Sequence, residues 1–286
     1  MSIASKETGS ELPRKVTIRR HGVATRLSHW GWAVALFFLL FSGLQIFNAH
    51  PALYIGQQSG FAFDNAVLSI QAIRSEDGDV RGSTYLLGHR FDTTGVLGVS
   101  GSRERRAYSA FPAWATIPSY HDLATGRVVH FFFAWVFVGV YLSWLLASVI
   151  NGHLRRDILP GAADLNALPK TVLEHLRFRF DHDGRYNSLQ KLSYAAVLLV
   201  FFPLMILTGL TMSPGMDAAW PWLVDIFGGR QTARTIHFIV MALIVGFFAV
   251  HIVMVFAAGP LNEMRSMITG RYRVDGSHSD GGSGHE

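Results

Sequence analysis

The chain has no cysteine. That excludes disulfides, thiolate-bound iron–sulfur clusters, Cys-rich zinc sites and the C-x-x-C-H attachment of c-type haem. Any metal must be held by nitrogen or oxygen side chains, and thirteen histidines are present. Charge is scarce too: 16% of the 286 residues are Asp, Glu, Lys or Arg against 50% hydrophobic, with a mean hydropathy of +0.27. This balance belongs to a membrane protein. A net charge of +5 and a pI near 9.7 do not point to nucleic acid, because the basic residues gather beside apolar runs instead of forming one stripe. No Asp or Glu lies within the four longest apolar runs, so the intramembrane carboxylates of a transporter are missing. The polar start, 1–13, lacks the apolar core of a signal peptide, and the first apolar run reads as a retained span.

Four runs reach spanning length: 29–47, 128–150, 192–212 and 236–258. The expected fold is an all-α membrane protein, a four-helix bundle with both termini cytoplasmic and a long external loop between helices one and two. Basic residues are dense in the arm 1–28 (Arg14, Lys15, Arg19, Arg20, Arg26), between spans two and three (Arg155, Arg156, Lys170, Arg177, Arg179, Arg185) and in the tail 259–286 (Arg265, Arg271, Arg273). The positive-inside rule places all three in the cytoplasm and the insertion 48–126 in the periplasm of a bacterial inner membrane. Within the insertion, 85–99 with its three glycines reads as short strands and turns, and 61–73 as a short helix. The stretch 218–227, with Trp220 and Trp222, reads as an interfacial amphipathic segment. Pro203 predicts a kink in span three, and the Gly/Ser-rich end 275–286 reads as disordered.

His237 and His251 lie fourteen residues apart in span four. On an α-helix that is about 21 Å of rise and close to four whole turns, so both rings leave roughly the same face. Intramembrane histidines are costly enough to be functional suspects. Depth pairs His29 with His251 at the inner side and His130 with His237 at the outer side. Arg26, Arg127 and Arg234 each precede a histidine by three residues, one turn nearer water. Haem has this polarity: its iron takes two axial nitrogens in the apolar interior, and its carboxylates seek cations at the interface. Ser42 with Gly43, and Thr208 with Gly209, leave backbone room for a flat macrocycle, although small-residue helix packing explains them almost as well. The expectation is two non-covalent b haems with His29, His251, His130 and His237 as iron ligands. The remaining histidines fall in loops or flanks, and His153 is the substitute ligand if the inner pairing fails.

These residues resemble a family. Arg26-x-x-His29-Trp30 and the paired span-four histidines look like bacterial di-haem membrane cytochromes b, including the gamma subunits of formate dehydrogenase and the cytochrome b subunits of hydrogenases. Phe41-Ser-Gly-Leu-Gln-Ile-Phe-Asn-Ala-His-Pro51 and Phe227-Gly-Gly-Arg-Gln-Thr-Ala-Arg-Thr-Ile-His-Phe238 are closer to the thiosulfate reductase cytochrome b subunit-like branch. The resemblance covers the four spans and leaves 54–120 without a recognisable motif. It implies electron transfer between membrane quinone, menaquinone or ubiquinone, and a periplasmic oxidoreductase, commonly a molybdopterin-dependent subunit.

The segment Arg185-Tyr-Asn-Ser-Leu-Gln-Lys191 resembles the entry to span three in the formate dehydrogenase gamma subunit, where an asparagine helps bind menaquinone. That role carries over to Asn187. Leu189 stands where the family example has glycine, which puts the close backbone approach in doubt. Tyr186, Asn187, Gln190 and Lys191 are all donors suited to quinone carbonyls, and a plain interfacial anchor is the other reading of the group. The rival functions are a stand-alone cytochrome b that oxidises a small external donor such as superoxide and reduces quinone, and a carrier serving a soluble cytochrome.

Overall fold

The computed structural model describes residues 16–60, 64–76, 78–102, 105–176 and 188–274. Four helices are long and apolar enough to cross a membrane: α1 (Val23–Ala49), α2 (Leu123–Ile150), the third span Ser188–Thr211 and α8 (Arg230–Ala258). Each extends beyond the apolar run in the sequence at its N-terminal side, because one turn or more of polar residues continues the helix. For α2 the reason is local: Asp122 caps it, its carboxylate accepting from the Thr125 N–H at 3.0 Å and the Thr125 hydroxyl at 2.6 Å. The Thr125 hydroxyl and then its amide hold the Asp122 carboxyl below the usual carboxylate range.

Span three consists of α4 (Ser188–Ala196), a π-helical stretch Val197–Phe201 and α5 (Phe202–Thr211). Pro203 cannot donate a backbone N–H, and the wider turn immediately before it accommodates that loss. Tyr141 of α2 donates its hydroxyl to the Leu198 carbonyl at 3.0 Å inside this stretch. Around it Trp32, Phe137, Tyr141, Trp144 and Phe202 form an aromatic core between α1, α2 and span three. Large apolar residues elsewhere on the spans, such as Phe132, Trp135 and Phe256, are exposed from the protein, as a lipid-facing surface requires.

The insertion is where the all-α expectation is corrected. It folds as an antiparallel meander of β2 (Ala52–Tyr54), β3 (Ala66–Arg74), β4 (Val80–Leu86) and β5 (His89–Asp92), in that spatial order. The strands and turns expected at 85–99 are present, but the helix expected at 61–73 is not: Ala66–Arg74 is the longest strand. Leu68 and Ile70 face a small core with Phe47, Leu53 and Ala110, and the segment pairs residue by residue with Val80–Leu86, which fixes it as a strand. Residues 214–226 form two short helices, α6 (Pro214–Ala219) and α7 (Trp222–Ile226), with Trp220 and Trp222 exposed.

This sheet is fastened to the start of α8. The Gly56 carbonyl accepts from the Gln231 and Thr232 amides, two donors that a helix start leaves unpaired, and the Gly56 amide donates to Thr232 Oγ1 at 2.7 Å. Thr235 Oγ1 donates to the Tyr54 carbonyl at 2.7 Å in a buried position. Gly229 makes the approach feasible: its φ is +121°, and a Cβ there would overlap the Gly56 carbonyl. Gly229→Ala is therefore expected to destabilise the junction by about 1–3 kcal/mol. Limited proteolysis of the insertion and thermal melting of detergent-purified protein would both register it.

At the opposite end the first and last described strands meet. β1 (Val16–Arg19) pairs antiparallel with β6 (Arg271–Val274), so the basic arm and the segment after α8 share one face of the bundle. Between them lies α9 (Pro260–Thr269), which leaves α8 at the left-handed Gly259. Arg20 binds Glu263 of α9 at 3.0 Å and lies 4.6 Å over the Tyr272 ring. The disorder expected for 275–286 falls outside the described residues.

Candidate functional site

At the sheet end of the bundle, His130 of α2 and His237 of α8 lie within electrostatic reach of each other. Ser42 Oγ is 3.1 Å from His130 Nδ1, and Thr208 Oγ1 is 2.9 Å from His237 Nδ1. Both hydroxyls are fully buried. Each also donates its single proton to the carbonyl four residues back, Phe38 for Ser42 and Leu204 for Thr208. A hydroxyl so committed can only accept from the imidazole, so Nδ1 carries the proton in both rings and Nε2 keeps its lone pair. That is the tautomer in which an imidazole ligates a metal through Nε2, with its other nitrogen held by a partner.

Glycines lie against the same rings. A Cβ placed on Gly43 would sit 3.3 Å from His130 Cε1, and one on Gly209 would sit 3.5 Å from His237 Cε1. The backbone at Leu39 also touches His130, and that at Met205 touches His237. One arrangement is thus made twice. Leu39-x-x-Ser42-Gly43 on α1 faces Arg127-x-x-His130 on α2, and Met205-x-x-Thr208-Gly209 on α5 faces Arg234-x-x-His237 on α8.

At the other end, the His29 and His251 rings have centroids 6.3 Å apart with planes at 57°. Metal–imidazole bonds of about 2.0–2.1 Å put the centres of two rings ligating one ion about 6 Å apart. Trp30 stands edge-on to His29 at 5.3 Å, and Phe247 stacks on His251 at 5.9 Å. His29 Nδ1 is buried without a protein partner, so this ring, unlike the two at the sheet end, has no protein group that fixes its tautomer. Among the described residues no three His, Asp or Glu gather as in a zinc cage. The intramembrane histidines come in pairs.

The arginines differ from one another. Arg234 donates to the His50 carbonyl at 2.6 Å and lies 5.7 Å over Phe47, whereas Arg127 is exposed, 5.6 Å over Phe131. Arg26 donates to the Ile268 carbonyl, and its Nε is buried without a partner. His50 is drawn into the outer end: it stacks on Tyr54 at 5.6 Å, and burial followed by the Arg234 charge lowers its pKa. His153 pairs with Asp157 at 2.7 Å and lies within electrostatic reach of His21. Of the quinone group, Tyr186 and Asn187 lie outside the described residues. Gln190 is half-buried on α4, and Lys191 is bound to Asp164 of α3 (Ala162–Leu176) at 3.2 Å.

At the sheet end, paired imidazoles with free Nε2 lone pairs and glycine faces beside them, within an apolar bundle, suit ligation of a flat metal macrocycle, and the His29–His251 ring spacing suits it at the other end. Comparison with known proteins agrees. Over 128 residues the chain is 29% identical to a putative protein-methionine-sulfoxide reductase subunit, YedZ1, of Azospira oryzae, covering 44% of this chain. It spans only 62% of that curated relative's length. No solved structure matches it significantly. The family model of prokaryotic cytochrome b561 matches residues 20–270, nearly every described residue, so the chain belongs to the prokaryotic cytochrome b561 family, membrane proteins that bind haem b and transfer electrons.

Proposed function

We propose that this chain holds two haems b in series across the membrane and relays electrons between the quinone pool and an oxidoreductase subunit docked on its external sheet. Haem b supplies a one-electron iron couple; the protein's part is ligation, charge and burial. His130 and His237 would hold the outer haem, His29 and His251 the inner one. Arg127 and Arg234 are the cations for the outer carboxylates, and Arg26 for the inner. The observation that carries this reading is the doubled hydroxyl–histidine–glycine arrangement, which sets both outer rings in the ligating tautomer. The density of basic residues at the terminal end supports a cytoplasmic orientation of that end.

The relative's name supports a reductase as partner, and a periplasmic molybdopterin enzyme is the type expected from the resemblance to formate dehydrogenase gamma subunits. Asn187 and Gln190, at the start of span three, would bind quinone at the inner side. A pyridine haemochrome assay on purified protein should give two haems b per chain. Stopped-flow reduction by a soluble quinol tests the inner site: Asn187→Leu should slow it without altering capture of the reductase partner. Reduction at the parental rate would remove the quinone from Asn187.

A charge prediction follows from the arginines. Replacing Arg234 with Leu removes a positive charge near the outer haem and favours its oxidised form, so its midpoint potential should fall by tens of millivolts while the inner one stays. Arg127, being exposed, should have the smaller effect. A redox titration with both haems retained and neither potential moved would reduce these arginines to helix anchors.

A further inference from the structure

The terminal end holds a cleft of about 480 Å³ where the β1–β6 ribbon meets the first turns of α1 and the end of α9. Arg19, Arg26, Arg271 and His21 line it, with Thr17 and Thr269, and none of the lining residues is acidic. The ribbon's register sets Arg19 directly opposite Arg271. Like charges in that position repel, and among the described residues neither is paired with a carboxylate. Arg26, assigned above to the inner haem carboxylates, forms the bundle-side wall of the cleft. His21 shows the cost: burial first, then Arg20 beside it, hold its pKa down at about 4. Glu263, an acid at this corner, is already bound to Arg20. A cluster of this kind is unfavourable until an anion enters.

The surroundings indicate which anion. α9 turns its polar side inward, with Ser266 fully buried, and leaves Leu261, Met264 and Ile268 exposed along one stripe, 88%, 42% and 59% accessible. Leu27, on the first turns of α1, is 69% exposed. A helix that leaves a membrane span and shows an apolar stripe lies in the interface, acyl chains beneath it. Cationic donors and acyl-facing apolar residues therefore flank one cleft. We infer that this cleft binds the phosphate of an anionic phospholipid, with Arg19 and Arg271 clamping it and the acyl chains lying along the stripe of α9.

The test uses the full-length holoprotein in a neutral detergent. Phosphatidylglycerol, phosphatidylcholine and inorganic phosphate are titrated separately, with binding followed by native mass spectrometry for the lipids and by the melting temperature for all three. Phosphatidylglycerol should bind and stabilise; phosphatidylcholine should not. In Arg19→Gln/Arg271→Gln the affinity for phosphatidylglycerol should drop about thirty-fold, each arginine contributing about fivefold near a membrane surface. The haem spectrum must remain parental, which also certifies folding. The control Arg155→Gln/Arg156→Gln, with equal charge loss on the same end but outside the cleft, should bind normally.

An equal loss in the control would make the effect diffuse surface charge and overturn the site. Equal stabilisation by inorganic phosphate would replace the lipid by a free anion. If the Arg19/Arg271 variant lost or shifted the inner haem while still binding phosphatidylglycerol, the cleft would belong to the haem carboxylates instead.

Discussion

His130→Ala and His237→Ala should each abolish the same spectral component, the outer haem, whereas His29→Ala and His251→Ala should each abolish the other. The two rings of a pair stand on different helices, so agreement within a pair is a statement about three-dimensional placement. Alanine removes the axial nitrogen and leaves an apolar void that no neighbouring side chain can use for ligation: around His237 the available groups are Thr208, Gly209 and the Met205 backbone. The inner haem should survive in the outer variants, because the 6.3 Å pairing of His29 with His251 is held by different turns of α1 and α8. Haem content should fall by about half in each variant, and low-temperature difference spectra should show one band lost rather than both weakened. Loss of one band by His29→Ala together with His130→Ala would break the pairing. Retention of both bands by His251→Ala would turn attention to His153, whose Nδ1 is at present taken by Asp157.

What the sequence made legible follows from the physics of each part. A bilayer demands about twenty apolar residues in a row, and nothing else in a chain of this composition produces that signal. The spans were therefore readable, although their first turns, with Arg26 and Ser28 in α1 or Arg127 in α2, are polar and were not. The sheet of the insertion was half-read. In Ala66–Arg74 apolar residues fall at positions 66, 67, 68, 70, 72 and 73, a pattern that satisfies a helical stripe as well as a strand, and only pairing with Val80–Leu86 decides between them. The histidines were visible because they are rare in membranes. Their hydroxyl partners were not, since Ser42 and Thr208 also read as small residues for helix packing. The doubled arrangement has no fixed period in the sequence because its two halves are separated by unequal lengths of chain: the insertion, with its sheet, lies between α1 and α2, and the two short helices α6 and α7 lie between α5 and α8.

Gly209→Val and Gly43→Val should each eliminate the outer haem and leave the inner one intact, a larger effect than either alanine. The distances grade the series. A Cβ at Gly209 would meet His237 Cε1 at 3.5 Å, an ordinary van der Waals contact, so Gly209→Ala should retain the haem. At Gly43 the corresponding contact with His130 Cε1 is 3.3 Å, which obliges the ring to move by a few tenths of an ångström. That displacement strains the Ser42 hydrogen bond at 3.1 Å, so Gly43→Ala should weaken haem retention without destroying it. Valine adds two methyl groups beyond the Cβ, held in one rotamer on a helix, and the ring then has nowhere to go. General helix packing makes a different prediction, because it would penalise valine wherever a span carries glycine. Gly139 on α2 and Gly246 on α8 supply that comparison: a Cβ at either meets nothing within 4 Å, so Gly139→Val and Gly246→Val should carry both haems. Haem stoichiometry and difference spectra of the six variants decide the matter. Both haems in Gly209→Val, or an equal loss in Gly246→Val, would mean that these glycines serve helix contact and not the ligand rings.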